Sequence, residues 1–142
     1  MRLTSYTNYA LRTLMFAAIR APALVRVQDV ADAHAISRTH LVKCVHHLGM
    51  WGYLDNVRGR GGGFRLARPA ETITIGEIVR HTEEGFADAG PSLGDSPADR
   101  LLAETFERAR VAFLAVLDRH TIADIVGNDD ELLRALGLRD VA

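Results

Sequence analysis

Apolar residues recur three and four positions apart through residues 5–20, where Tyr6, Ala10, Leu14 and Ala18 share a stripe with Leu11 and Met15. That period predicts an amphipathic helix, capped by Thr4 or Ser5 and stopped by Pro22. A short second helix is expected over 27–34 with Val30 and Ala31 inward, followed by a tight turn at Ala35-Ile36. Ser37 then stands where a helix N-cap belongs. From Arg38 to about Leu48, at ~100° per residue, Leu41, Val42, Cys44, Val45 and Leu48 gather on one side. Thr39, His40, Lys43, His46 and His47 gather on the other. Two short helices joined by a tight turn, the second with a small, polar and cationic outer face, make a helix-turn-helix pattern. An ordinary amphipathic surface helix is the alternative for this segment taken alone.

The next segment of the chain decides between them. Gly49 is expected to end the helix, and Trp51-Gly52-Tyr53-Leu54 opens an extended stretch running to Val57. Arg58-Gly59-Arg60-Gly61-Gly62-Gly63 interrupts the pattern, and Phe64-Arg65-Leu66 resumes the alternation of a strand. Two strands around a Gly/Arg tip predict a β-hairpin, the wing of a winged helix. A flexible hairpin with incidental arginines is the bland alternative. A phosphate-binding glycine loop is excluded, because it would lead from a strand into a helix and this tip leads into a strand.

Further along, Thr74-Ile75-Gly76-Glu77 reads as a capping box opening a helix with Ile75, Ile78 and Val79 inward. From Glu83 to Ala98 the pattern dissolves into a loop rich in Gly and Pro. Ser96-Pro97 then starts a long helix, with Ser as cap and Pro at the first position. Leu102, Phe106, Ala109, Phe113 and Val116 repeat at spacings of four, three, four and three, a seam suited to a second copy of the chain. Packing back on its own domain is the alternative. Thr121 caps a short turn ending at Gly127. Leu132, Leu133 and Leu136 suggest a small terminal helix, with Asp129, Asp130 and Glu131 placed favourably at its N-terminal end.

These elements imply a mainly α fold with a small β-hairpin. The expected division is a winged helix-turn-helix DNA-binding domain over 1–82, a loop over 83–98, and a dimerisation helix with helical tail over 99–142. Charge sharpens the division. Residues 1–80 hold eleven Arg and Lys against five acids, net +6, whereas 81–142 hold six against thirteen, net −7. A basic head beside an acidic arm points to a polyanion as partner. Apolar residues make up 48% of the chain, enough for a buried core, yet no run is long enough to span a bilayer or to resemble a secretory signal. The expected location is cytoplasmic. Cys44 is the single cysteine, so neither an internal disulfide nor a multi-thiolate metal site is possible. Its inward position suits buried packing. His46 and His47 lie about 100° apart on a helix, which suits a polar DNA-facing surface better than a metal pair. No nucleophile–base–orienter set is recognisable, so an enzyme reading has no residues behind it.

Several stretches in this order resemble one family. They are Leu3-Thr4-Ser5-Tyr6-Thr7-Asn8-Tyr9-Ala10-Leu11-Arg12, Ser37-Arg38-Thr39-His40-Leu41-Val42-Lys43, the turn Gly52-Tyr53-Leu54, and Val57 through Pro69. The chain is similar to the winged-helix repressors that include the iron–sulfur regulator IscR and the nitric-oxide sensor NsrR, and its tail from Phe113 to Val126 looks more like the NsrR branch. The resemblance implies a homodimeric repressor of nitrosative, redox or iron–sulfur response, binding a pseudo-palindromic operator in double-stranded DNA. Ser37, Arg38, Thr39, His40 and Lys43 would meet the major groove and flanking phosphates. Arg58, Arg60, Gly61, Gly62 and Arg65 would reach the minor groove or backbone.

One departure stands out. Family members with a cluster hold it with three cysteines in the loop before the long helix, and the NsrR branch resembles a use of an N-terminal aspartate as the fourth ligand. Here the loop 83–99 has no cysteine, and the N-terminal position is Asn8. Asp88, Asp95 and Asp99 remain, hard carboxylates better suited to Mg²⁺ or Ca²⁺. No metal site and no cofactor are therefore expected. Loss of the cluster by a genuine member and substitution of its cysteines remain equal explanations. Two other functions stay open: a winged helix used as a protein-interaction module, and a repressor sensing a small ligand at 83–98.

Overall fold

The computed structural model describes residues 2–86, 90 and 93–127. It is mainly helical with one antiparallel hairpin, as the patterning predicts. Helix α1 spans Ser5–Arg20, α2 Val27–His34 and α3 Arg38–Met50; strands β1 (Leu54–Val57) and β2 (Gly63–Leu66) come next, then α4 (Ile75–Thr82), α5 (Pro97–Leu117) and α6 (Ile122–Val126). Short 3₁₀ turns at Ala70–Thr72 and Glu84–Phe86 complete the order. The expected terminal helix, the acids at 129–131 and Asp88 lie outside the described residues.

Local chemistry accounts for the helix ends. The Thr4 side chain accepts from the Thr7 N–H, which settles the choice of cap for α1. Reciprocal capping boxes open α4 (Thr74 with Glu77), α5 (Ser96 with Asp99) and α6 (Thr121 with Asp124). The turn between α2 and α3 places Ala35 in the left-handed region at φ 52°. Helix α3 passes through Gly49 and ends at Met50, two residues beyond the expected end. The chain turns instead at Gly52, where φ is +83°.

The core gathers one face of α1, α2, α3, α4 and α6. Ala10 and Leu14 of α1, Leu41, Cys44 and Leu48 of α3, and Ile78 of α4 are fully buried together. Val42, grouped with that face by pattern, is 44% exposed. It stands about 100° round the helix from Leu41, off the edge of the stripe that α1 and α2 cover.

The wing is held on both sides. β1 and β2 pair with Leu54 opposite Leu66 and Val57 opposite Gly63. The other edge of β2 bonds to the segment between α1 and α2, where Val25 and Phe64 exchange both backbone hydrogen bonds at 2.8 Å. From β1, the Asn56 amide donates to the Val45 carbonyl of α3 at 3.3 Å. Gly49 makes room for that side chain: a Cβ there would lie 2.4 Å from Asn56 Nδ2. A backbone and a side-chain anchor thus set the wing against α3.

The chain beyond α5 returns to the head, which grouping 99–142 as one arm does not anticipate. Ile122 is fully buried in the core, its N–H donates to the Ile73 carbonyl at 2.8 Å, and the Ile75 N–H donates to the His120 carbonyl at 2.8 Å. Arg80 of α4 holds Asp118, just past α5, in a bidentate pair at 2.6 and 2.7 Å.

Two substitutions test this packing. Ile122→Ala should lower the unfolding free energy by about 2–5 kcal/mol in denaturant titration, the usual range for emptying a packed core position; a change below about 0.5 kcal/mol would detach α6 from the core. Gly49→Ala should displace Asn56 from Val45, so the Gly49→Ala/Asn56→Ala double variant should be more stable than the sum of the single losses. Strict additivity would mean that the two residues do not meet.

Candidate nucleic-acid interface

The face of α3 opposite the core carries the predicted contact residues to the surface. Ser37, Arg38, Thr39, His40 and Lys43 are all exposed. Ser37 occupies the N-cap position without a side-chain capping bond, so its hydroxyl is uncommitted. Burying Leu41, Cys44, Val45 and Leu48 obliges these residues outward, because a helix offers the core only one face. Among the described residues, neither Arg38 nor Lys43 enters an ion pair.

His47 departs from expectation. It is half-buried, with Nδ1 2.5 Å from the Tyr6 hydroxyl and its ring beside Trp51. Burial, Cys44 and Glu84 push the Tyr6 hydroxyl up to about 12, so this phenol stays protonated. His46 alone of the pair faces solvent fully. Pattern reasoning placed both on the outer face because the partner of His47 comes from α1, forty-one residues away.

At the wing, Arg58 and Arg60 are exposed and unpaired among the described residues. Gly61, at φ +74°, adopts a conformation that side chains disfavour. A Cβ on Gly62 would lie 2.2 Å from the Val57 carbonyl oxygen, so only glycine closes this tip. Arg65 behaves differently. It stands directly across the hairpin from Asp55 and pairs with it at 3.2 Å. Both side chains are about half exposed, so the pair is weak, but a phosphate would have to compete with Asp55 for this guanidinium.

Cys44 is fully buried, and burial pushes its thiol up to about 12. Burial and protonation both disfavour thiolate chemistry and metal ligation at this sulfur. Asp99 is occupied in the cap of α5, accepting from the Ser96 N–H at 3.1 Å. Among the described residues no cluster of three or more His, Cys, Asp or Glu could hold a metal ion. No helix there is long and apolar enough to cross a membrane.

Helix α5 presents a second surface. Leu102, Phe106, Ala109 and Val116 of the predicted seam are exposed, and so are Leu101 and Val111 outside it. Phe113 is half-buried against Phe86 of the same chain, ring centroids 5.1 Å apart. One member of the seam therefore packs on its own domain. The residues that pattern missed, Asn56, Gly49 and Val25, work through contacts distant in sequence; only the strand alternation that puts Asn56 on the face of Leu54 could have pointed to the first.

The profile of the Rrf2 family, described as iron-dependent transcriptional regulators, matches residues 3–128. The chain is 39% identical to the HTH-type transcriptional regulator NsrR of Bacillus subtilis, over 99% of this chain and all of that protein. It is 46% identical to the NsrR of Geobacillus kaustophilus over 96% of each. Among solved structures, that of CymR, the global cysteine regulator of B. subtilis, superposes with a TM-score of 0.76 at 25% identity, covering 92% of this chain and 99% of that one. This chain belongs to the Rrf2 family and is a DNA-binding transcriptional regulator of the winged-helix kind.

Proposed function

We propose that this regulator is a homodimeric repressor that reads a pseudo-palindromic operator and carries no iron–sulfur cluster. The observation that carries the reading is the pairing of two cationic elements on one head: the exposed start of α3 and the wing tip with Arg58 and Arg60, joined through Asn56 and Val45. Ser37, Arg38, Thr39, His40 and Lys43 enter the major groove, while Arg58, Arg60 and the Gly61-Gly62 backbone approach the minor groove or phosphates. Arg65 joins them only by leaving Asp55. Residues 1–82 with α6 form the DNA-binding unit, and the exposed apolar face of α5 meets a second copy through Leu102, Phe106, Ala109 and Val116.

The family profile is described as iron-dependent, and the donors of this chain do not suit a cluster. The one cysteine is buried in α3 with a protonated thiol, and residues 83–99 contain none. Iron–sulfur clusters need several thiolates, and carboxylates alone are poor substitutes. Asp55, Asp95 and Glu84 are exposed surface acids.

Arg60→Ala should weaken binding to every duplex similarly and reduce the slope of log affinity against log salt by about one. If Arg60 lies in a narrow minor groove, the loss should concentrate on A·T-rich sites; unchanged affinity for all duplexes would remove the wing from the interface. Phe106→Asp should give monomers in sedimentation and abolish operator binding, because a carboxylate would be buried between copies. A dimer that persists would place the subunit contact elsewhere. Reconstituted anaerobically with iron and sulfide, the chain should stay colourless; a visible absorption band with matching iron and sulfide would contradict the cluster-free reading.

A further inference from the structure

A cleft of about 1050 Å³ opens between the start of α1, the outer side of α3 and the end of α4. Its wall includes Tyr6, Tyr9 and Trp51, which pack against the core from behind. Its size is just above the range common for small-molecule sites, about 300–1,000 Å³. His40, Lys43 and His47 face it from α3 at spacings of three and four, one stripe of that helix.

Rings line the cleft in series. Tyr6 meets His47 edge-on at 5.9 Å, His47 meets Trp51 at 5.6 Å, and Trp51 stacks on His81 at 4.7 Å and 19°. Tyr9 stacks on His40 at 6.1 Å and 16°. Met50, 69% exposed, adds a flexible apolar side chain at the rim.

Charge in the cleft is uneven. Glu83 accepts from the Thr4 N–H at 2.8 Å, the Thr4 hydroxyl at 2.9 Å and the Thr7 hydroxyl. Burial works against its charge, but these bonds outweigh it and hold the carboxyl below the usual carboxylate range. All three bonds fall on Oε1, so that oxygen is engaged within the protein. Glu84 is exposed at the same rim. Lys43, by contrast, has no ion pair among the described residues and stands between two imidazoles on its stripe.

We propose that this cleft binds a planar aromatic anion of the carboxylate class, its ring against the Tyr6, His47 and Trp51 tier and its charge on Lys43. Because His40 and Lys43 are also residues offered to DNA, an occupant removes a cation that the duplex would use. Ligand and duplex then bind at each other's expense, by the same factor in both directions. This second half rests on the DNA-binding reading of α3.

The test starts without DNA. 2-Naphthoate titrated calorimetrically into the full chain should bind saturably, one per chain, and shift the indole N–H resonance of Trp51, the only tryptophan. Neutral 2-naphthamide should bind more weakly. Lys43→Met should weaken naphthoate by up to about fivefold, as for an exposed ion pair. Trp51→Leu should weaken it roughly three- to tenfold and Trp51→Phe should recover most of that loss. No saturable binding, equal binding of the amide, an unmoved indole resonance or an indifferent Lys43→Met would each overturn the site. In a second arm, saturating random-sequence duplex at low salt should weaken naphthoate binding, and naphthoate should weaken duplex binding equally; independence would overturn the competition. A chain that binds no duplex would refute the DNA reading, while the naphthoate titration would still decide the cleft.

Discussion

Burial of one face of α3 is the constraint on which the rest depends. Leu41, Cys44, Val45 and Leu48 are taken into a core shared with α1, α2 and α4, and a thirteen-residue helix so committed has only its opposite face left for solvent. Cations and hydroxyls on that face are displayed by the same packing that stabilises the domain. The wing inherits its position from this arrangement. Asn56 reaches back to the Val45 carbonyl, and Phe64 is itself buried and bonded to Val25, so the strands that carry the arginine tip are anchored to α3 and the core.

Features encoded locally were legible in the amino-acid sequence. The capping box at Thr74 and the caps at Ser96 and Thr121 are local signals, and each element begins where its cap predicts, the short turn after Thr121 being a five-residue helix. The hairpin was legible from the alternation on either side of a tip rich in Gly and Arg. Helix α3 ran past Gly49 because that glycine serves a close approach to Asn56 rather than a termination. Such a role depends on a strand that packs across the helix, and no local window contains both.

What stayed hidden is what depends on distant partners. Arg65 reads as a free cation until the register places Asp55 opposite. His47 reads as DNA-facing until Tyr6 arrives from α1. Phe113 reads as a member of an intermolecular seam until Phe86 is found against it. The return of α6 is the largest such case, since a single buried isoleucine and two backbone bonds carry the chain back into the head. That return ties the C-terminal part of α5 to the DNA-binding unit, reinforced by the Arg80–Asp118 pair and by the Phe86–Phe113 contact. A second copy seated on α5 would thereby be held in fixed orientation to each wing.

The central claim is that two such heads, rigidly spaced by α5, read one symmetric site. Selection of bound DNA from a random duplex pool tests it most directly. The account predicts enrichment of an inverted repeat whose half-sites are centred roughly one helical turn, about 34–36 Å, or a multiple apart. Enrichment of an isolated, non-repeated half-site, or no sequence enrichment above the starting pool, would contradict it.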